Sequence, residues 1–281
     1  MGVGHGMLGP QLDLDGQPDD GPAVPAPHAG DVGRTLRILS YNIQTGITSG
    51  HYRHYVTRSW RHVLPHPSRL VNLDAIARVL YDYDLVGLQE VDSGSLRTGF
   101  VNQTQYLADR AGFPYWHHQI NRRLGRFAQQ ANGLLSRVPV LSVTDLKLPG
   151  LPGRGALVAR LGDGAVPLTV FIIHLALGKR ARLRQVAYLA DQVSAHPHAI
   201  VMGDLNCGPD SEEVHLLLAN TPLRAPAEHL STFPSWHPRR HIDHILVTAA
   251  VLPERVYVPD WPFSDHLAIA MEIRLPAAVT L

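Results

Sequence analysis

Short apolar runs recur along the chain from about residue 34 to its end, and polar residues or a turn follow each one. Runs of this length, rich in Leu, Ile and Val, predict β-strands that are buried on one or both faces. The predicted strands are 36–43, 85–91, 132–137, 155–161, 168–175, 198–204, 241–247 and 267–275.

Three longer segments repeat their apolar residues with helical spacing. The segment 70–83 places its leucines and Ile76 on one face, 102–113 ends near Gly112, and 179–196 begins with basic residues. Because helices separate only some of the predicted strands, the pattern predicts an α/β fold with a mixed sheet layered by helices. A regular alternation of helices and parallel strands is not expected.

The first 33 residues differ from the rest of the chain. They contain "GQPDDGPAVPAPHAGDVG", which is rich in Gly, Pro and Asp and has no apolar period. Such a composition cannot bury enough apolar surface to offset the entropy of ordering, so we expect residues 1–33 to form a disordered tail. No fixed-period repeat or second linker follows, which predicts a single domain over 34–281.

The composition narrows the class of protein. Apolar residues make up 45% of the 281 residues, which is enough for a sizeable core. Lys plus Arg number 25 and Asp plus Glu number 24, a balance that argues against a nucleic-acid coat protein or a polybasic membrane anchor. No apolar run is long enough to cross a membrane, and the N-terminus lacks the pattern of a signal peptide.

Cys207 is the single cysteine, so neither an intrachain disulfide nor a four-thiolate zinc site can form. A chain with one cysteine and no signal peptide is expected in the reducing cytoplasm. The oligomeric state is not indicated by the sequence.

Polar residues repeatedly close the predicted apolar strands. Each of them alone has an ordinary explanation, such as a turn, a solvated strand end or a buried histidine with a hydrogen-bond partner. Their recurrence in one chain favours a shared site. The residues are Asn42, Gln89, Glu90, His174, Asp204, Asn206, Asp243, Asp265 and His266.

These side chains together suit chemistry at phosphorus. Glu90 and Asp265 are hard oxygen ligands of the kind that Mg²⁺ or Mn²⁺ binds, and Asn42 adds an amide oxygen. Asp204 could orient or deprotonate water, while Asp243 could hold an imidazole in one tautomer. His174, His266 and Asn206 can donate hydrogen bonds to phosphoryl oxygens.

Eight short motifs occur in order along the chain. They are "YNI" (41–43), "LQEV" (88–91), "NGLLSR" (132–137), "IIHL" (172–175), "GDLN" (203–206), "TFPSW" (232–236), "HIDHILV" (241–247) and "SDH" (264–266). In this order they resemble the endonuclease/exonuclease/phosphatase superfamily over about residues 35–275. The resemblance implies a four-layer α/β sandwich, with two mixed β-sheets packed face to face and helices outside.

The resemblance also implies a role for each matching residue. Asn42 and Glu90 would hold the metal ion, with Asp265 supporting it. His174 and Asn206 would contact the scissile phosphate, Asp204 would activate water, and Asp243 would pair with His266 as the acid/base or phosphate-binding imidazole. Asn132, in "NGLLSR", would face the phosphate. His241 stands where the family often has arginine, which removes the basis for a role there.

The loops bear on the choice of substrate. The segments 44–70, 117–130 and 148–156 carry several arginines, including Arg122, Arg123 and Arg154. If they converge above the strand ends, they form an electropositive rim for an anionic substrate. The expected function is metal-dependent hydrolysis of a phosphoester in a small molecule or lipid head group.

Two other functions are weighed against it. The alternative is a DNA or RNA nuclease, in which nucleic acid would be the partner. The arginines would then contact backbone phosphates. A non-catalytic binding module is disfavoured by the complete acidic and histidine set.

Overall fold

A computed structural model describes residues 32–47, 68–150, 152–162, 164–228 and 230–281. Most of the predicted tail and of the loop 44–70 lies outside the described residues, so the disorder of the tail stays a prediction. Val32 and Gly33 belong to the first strand, two residues before the predicted start of the domain.

The described chain contains twelve strands and four α-helices. The strands are β1 Val32–Asn42, β2 Leu85–Asp92, β3 Tyr115–Leu124, β4 Ala128–Ser136, β5 Val140–Lys147, β6 Gly155–Leu161, β7 Leu168–His174, β8 Ala199–Asp204, β9 Leu223–Arg224, β10 Asp243–Thr248, β11 Leu252–Tyr257 and β12 Ile269–Pro276. The helices are α1 Ser68–Leu80, α2 Gln103–Ala111, α3 Lys179–Val193 and α4 Glu212–Ala219.

The strands form two six-stranded sheets. The first has the order β11-β12-β1-β2-β4-β3 and the second β5-β6-β7-β8-β10-β9. Each sheet has one parallel pair, β1 with β2 and β7 with β8, and antiparallel pairs elsewhere. Both sheets are therefore mixed, as expected.

The sheets pack face to face around a central core. Leu36 and Ile38 of β1 meet Ile172 and Met202 of the second sheet, and all four are fully buried. Successive side chains on a strand point to opposite faces, so Leu39 instead faces outward, where α1 and α2 cover the first sheet. Helices α3 and α4 cover the outer face of the second sheet. The predicted four-layer sandwich is confirmed.

Several elements were not predicted from the sequence. The segment 117–130, a loop by its sequence pattern, forms most of β3, a turn and the start of β4. Strands β5, β9 and β11 and helix α4 were also missed. Strands β3 and β5 lie at sheet edges and bury few side chains, so their sequences lack the apolar alternation of a half-buried strand. Within the described residues, no helix is long and apolar enough to cross a membrane.

Candidate active site

The polar residues that end the strands come together at one edge of the two packed sheets. Asn42 is the last residue of β1 in the first sheet, and Asp204 is the last residue of β8 in the second. Both are buried, and the Asn42 side-chain nitrogen donates to Asp204 Oδ2 at 3.2 Å. This hydrogen bond joins the sheets directly at the site.

A break in the β2–β4 register positions Glu90. The register shifts between Leu88 and Val91, and Glu90 has a φ of 56°. A left-handed conformation costs a non-glycine residue of order 1 kcal/mol and occurs mainly where the surroundings enforce it. The Thr45 hydroxyl donates to the Glu90 carbonyl at 3.1 Å and helps to hold this backbone.

The turn after β8 fixes the Asp204 carboxylate. Its Oδ1 accepts from the Asn206 backbone N–H at 2.9 Å, and its Oδ2 lies 3.4 Å from His174 Nε2. Gly203 has a φ of 149°, and a side chain there would collide with the Ile173 carbonyl oxygen. The Asn206 side chain donates to the Leu175 carbonyl at 3.0 Å, which ties the turn to the end of β7.

Asp243 and His266 form a buried pair. His266 Nδ1 lies 2.8 Å from Asp243 Oδ2, the same oxygen that accepts from the Thr232 hydroxyl. Because a carboxylate accepts hydrogen bonds, Nδ1 carries the donated proton and Nε2 faces Asp204 Oδ2 at 3.9 Å. Asp204, His266 and Asp243 therefore form a continuous line of interacting groups.

Burial and neighbouring charges shift the pKa values of these groups. Burial, with the Asp243 charge, raises the pKa of Asp204 to about 7, against the opposing effect of His266. Burial would lower the pKa of His266, but the charge and hydrogen bond of Asp243 and the charges of Asp204 and Asp265 raise it to about 10. Burial lowers the pKa of His174 well below its ordinary value, and Arg154 and His266 add to this effect. His174 is therefore a neutral donor or acceptor at neutral pH.

The arrangement of carboxylates fits a divalent cation. Burial and the charge of Glu90 raise the pKa of Asp265 to about 6, and the Glu90 charge also raises that of Asp204. A cation among these carboxylates would relieve their mutual repulsion, and carboxylate oxygens are the ligands that Mg²⁺ prefers. Over the residues that the structure describes, the group of side chains that could hold a metal ion is Asp204, Asp243 and His266, whose ligand atoms lie within 4.8 Å of one another, and it includes neither Glu90 nor Asp265. The His266–Asp243 hydrogen bond accounts for much of this proximity.

The predicted substrate-binding residues have different surroundings. Asn132 is buried between the sheets, where its side-chain nitrogen donates to the Gly155 carbonyl at 3.1 Å. Its Oδ1 has no hydrogen-bond partner within the described residues. Arg122 and Arg123 are exposed near the end of β3, and neither forms an ion pair with a described residue.

Arg154 and Thr232 interact with residues of the candidate site in ways that the sequence did not indicate. Arg154 is half-buried beside β6, and burial lowers its pKa against the charges of Glu90 and Asp204, which raise it. The sequence identified it only as one of several loop arginines. Thr232 lies in the "TFPSW" motif, and its hydroxyl donates to Asp243 at the end of the same loop, a contact that the motif alone did not indicate.

Comparison with known proteins identifies the family of the chain. A family model described as "Endonuclease/Exonuclease/phosphatase family" matches residues 39–266. No curated protein matches the sequence.

Among solved structures, the endonuclease/exonuclease/phosphatase from Beutenbergia cavernae has a TM-score of 0.68 at 20% identity, over 88% of this chain and 73% of that one. A mannosyl-6-phosphatase from Bacteroides thetaiotaomicron has a TM-score of 0.62 at 17% identity, over 85% of this chain and 99% of that one. The catalytic domain of human Nocturnin, with a bound sulfate anion, has a TM-score of 0.62 at 17% identity, over 86% and 95%. Identities this low show a common fold.

Proposed function

Since the chain belongs to the endonuclease/exonuclease/phosphatase family, whose members are phosphoester hydrolases, we propose that it cleaves its substrate by attack of water on phosphorus, assisted by Asp204 and His266. The observation that carries this proposal is the buried line from Asp204 through His266 to Asp243. It supplies a carboxylate beside an imidazole whose second nitrogen is fixed by another carboxylate, which is an arrangement suited to proton transfer.

Asp204 is the group that orients the attacking water and takes its proton. Asn206 fixes one carboxylate oxygen, and Asn42 donates to the other, which leaves that oxygen directed at both imidazoles. His266 Nε2 is free to donate to a phosphoryl oxygen or to the leaving group, because Nδ1 is held by Asp243. His174 and Asn206 provide further donors to the phosphoryl oxygens.

Glu90, Asp265 and Asn42 are the residues proposed to hold a divalent metal ion, Mg²⁺ or Mn²⁺. When bound, the metal would supply positive charge to the phosphoryl oxygens in the transition state. Arg154 would add a second, fixed positive charge from the opposite sheet, since it already interacts with the charges of Glu90 and Asp204.

A phosphate ester of a small molecule or a lipid head group is the proposed substrate class. The near-neutral charge of the chain supports it, and one structural neighbour is named a mannosyl-6-phosphatase. A nuclease remains the second candidate because Arg122 and Arg123 are exposed on β3, where they could meet a polynucleotide backbone.

The test combines a generic ester with a substrate panel. We expect the protein to hydrolyse bis-p-nitrophenyl phosphate with Mg²⁺ or Mn²⁺, and EDTA and Glu90→Ala each to abolish turnover. Glu272→Ala removes a glutamate from β12 of the same sheet and is the matched control. Sugar phosphates, inositol phosphates, sphingomyelin, plasmid DNA and RNA then separate the substrate classes. Cleavage confined to DNA or RNA would favour the nuclease, and absence of turnover with every divalent ion would refute the hydrolase.

A further inference from the structure

A cavity of about 460 Å³ lies next to the catalytic groups. It is lined by β3, by the end of β5 and by the loop that leads into β6, and its polar side chains include Asn121, Asp145, Lys147 and Arg154. Its volume is within the range of small-molecule pockets, roughly 300 to 1,000 Å³. None of the catalytic roles described above uses it, apart from the position of Arg154 at its border.

Strand pairing determines where the cavity lies relative to the site. Lys147 of β5 pairs with Gly155 of β6, and the register of β6 with β7 brings Gly155 beside His174, which pairs with Asp204 of β8. Neighbouring strands are about 4.8 Å apart, so the backbone at Gly155 is roughly 10 Å from that at Asp204. A sugar ring that carries a phosphate at each end can span this distance.

The charge around the cavity is strongly positive. Lys147 and Arg154 line it, the Arg122 side chain packs on Gly153, and Arg184 approaches Gly150. Within the described part of the chain, none of these four cations forms an ion pair.

Among the described lining residues, the one carboxylate is Asp145, whose Oδ1 lies 3.7 Å from His117 Nε2. Two lining cations and two arginines close to lining glycines, opposed by one lining carboxylate, favour an anion as the ligand.

A neutral polar side chain of the cavity, Asn121, indicates the chemistry of the part of the ligand that joins this anion to the scissile phosphate. Asn121 is half-buried, and its side chain has no hydrogen bond to any described residue. It lies over Gly155, where an added side chain would collide with its Oδ1. An unengaged amide offers both donors and an acceptor, which suits the hydroxyl groups of a sugar or polyol.

We propose that the cavity binds a second phosphate group of the substrate, and that the substrate is a small sugar or polyol carrying two phosphates. The inference rests on the proposed function, which assigns the scissile phosphate to the site at Asp204. Arg154 lies between the two positions, where it contacts one phosphate or bridges both. Lys147 contacts the second phosphate, and Arg122 and Arg184, which lie near Gly153 and Gly150, add positive charge around it.

The proposal is tested by calorimetry with two probes that differ by one phosphate, glucose 1,6-bisphosphate and glucose 6-phosphate. The full chain is titrated with Mg²⁺ present in the Asp204→Asn background, which is expected to bind substrate without turnover. We expect the bisphosphate to bind at least about tenfold more tightly, because charge-assisted contacts to a second phosphate are strong. Lys147→Met in the same background should reduce this preference by about tenfold.

Arg160→Met is the matched control, since it removes an exposed cation from the other end of β6 and should leave the preference unchanged. Equal affinity for the two sugar phosphates in the background protein would overturn the proposal. Equal losses in the Lys147 and Arg160 variants would also overturn it.

A short oligothymidylate is the third probe. If it binds more tightly than the bisphosphate, and Lys147→Met weakens its binding, the ligand of the cavity is a polynucleotide backbone and the small-molecule proposal is overturned. Calorimetry requires no turnover, so the affinity ratio is measured independently of catalysis. Failure of the wild-type protein to hydrolyse either bis-p-nitrophenyl phosphate or any member of the substrate panel would refute the hydrolase proposal and leave the affinity ratio intact.

Discussion

Replacing Asp243 with asparagine removes the negative charge that orients His266 and changes few other contacts. Asp243 Oδ2 accepts from His266 Nδ1 at 2.8 Å and from Thr232, while Oδ1 is buried with no hydrogen-bond partner among the described residues. An asparagine nitrogen at the Oδ2 position would face two donors. At the Oδ1 position it would be buried without an acceptor.

The magnitude follows from the burial of the pair. The side chains of Asp243 and His266 are 1% and 7% exposed, so solvent screens their interaction little. A hydrogen bond to a charged group contributes about 1.5 to 3 kcal/mol. Each 1.36 kcal/mol or so corresponds to a tenfold change in rate, so we expect kcat to fall about 10- to 150-fold.

The pH profile provides a second readout, because Asp243 raises the pKa of His266 against the effect of burial. Without that carboxylate the pKa of His266 falls. If the imidazolium is the active form, the alkaline limb of the kcat profile moves to lower pH.

Steady-state hydrolysis of bis-p-nitrophenyl phosphate measures both effects, with denaturant unfolding to verify that the variant is folded. Thr232→Val is the control, since it removes the other donor to Oδ2 and retains the charge. A folded Asp243→Asn protein that retains kcat within about threefold of wild type, with an unchanged pH profile, would show that the Asp243 charge does not support His266 in catalysis.

Three other results are expected. Asp92→Asn should lower the free energy of unfolding by about 3 to 5 kcal/mol in guanidinium titrations, because the buried carboxylate pairs with Arg97 at 2.6 Å; a loss below about 1 kcal/mol would contradict this. Burial lowers the pKa of His244 to about 4 from 6.5, so its contribution to stability is complete above pH 6.5 and is lost as the pH falls toward 4. Between pH 7.5 and 4, the free energy of unfolding of the wild type should therefore fall by about 3 kcal/mol more than that of His244→Gln. The glutamine keeps a donor for the Cys207 carbonyl, and equal losses in the two proteins would show that His244 is not the titrating group. Arg154→Met should reduce kcat/KM about 10- to 100-fold in the same ester assay, and an unchanged value would exclude it from phosphate binding.

The sequence predicted which residues end the central strands better than it predicted the strands at the sheet edges. Asn42, His174 and Asp204 each end an apolar strand, so the end of the run marks the residue that reaches the sheet edge. Their convergence then follows from packing two such sheets face to face. Strand β3 has no comparable signal, since Gln119 is its one fully buried residue and only pairing with β4 makes it a strand.

Side-chain direction was the part that local sequence could not specify. Asn132 was predicted to face the phosphate, and its nitrogen instead donates to the backbone of β6 in the opposite sheet. The phosphate role stays a prediction that would require those bonds to be exchanged. Arg154 lies in a loop, so its approach to Glu90 depends on how the two sheets meet, which no nearby residue determines.

The hydrogen bond between Asn42 and Asp204 has a consequence for how the protein loses activity. One sheet carries Asn42 and Glu90, two of the proposed metal ligands, and the other carries Asp204, the carboxylate proposed to activate water. Activity would therefore depend on the docking of two separately hydrogen-bonded layers. An expanded, molten-globule state could keep every strand ladder and still separate the two half-sites. Heating or mild acid should then abolish turnover before the far-ultraviolet circular dichroism changes, which would make enzymatic activity a more sensitive measure of tertiary packing than secondary structure.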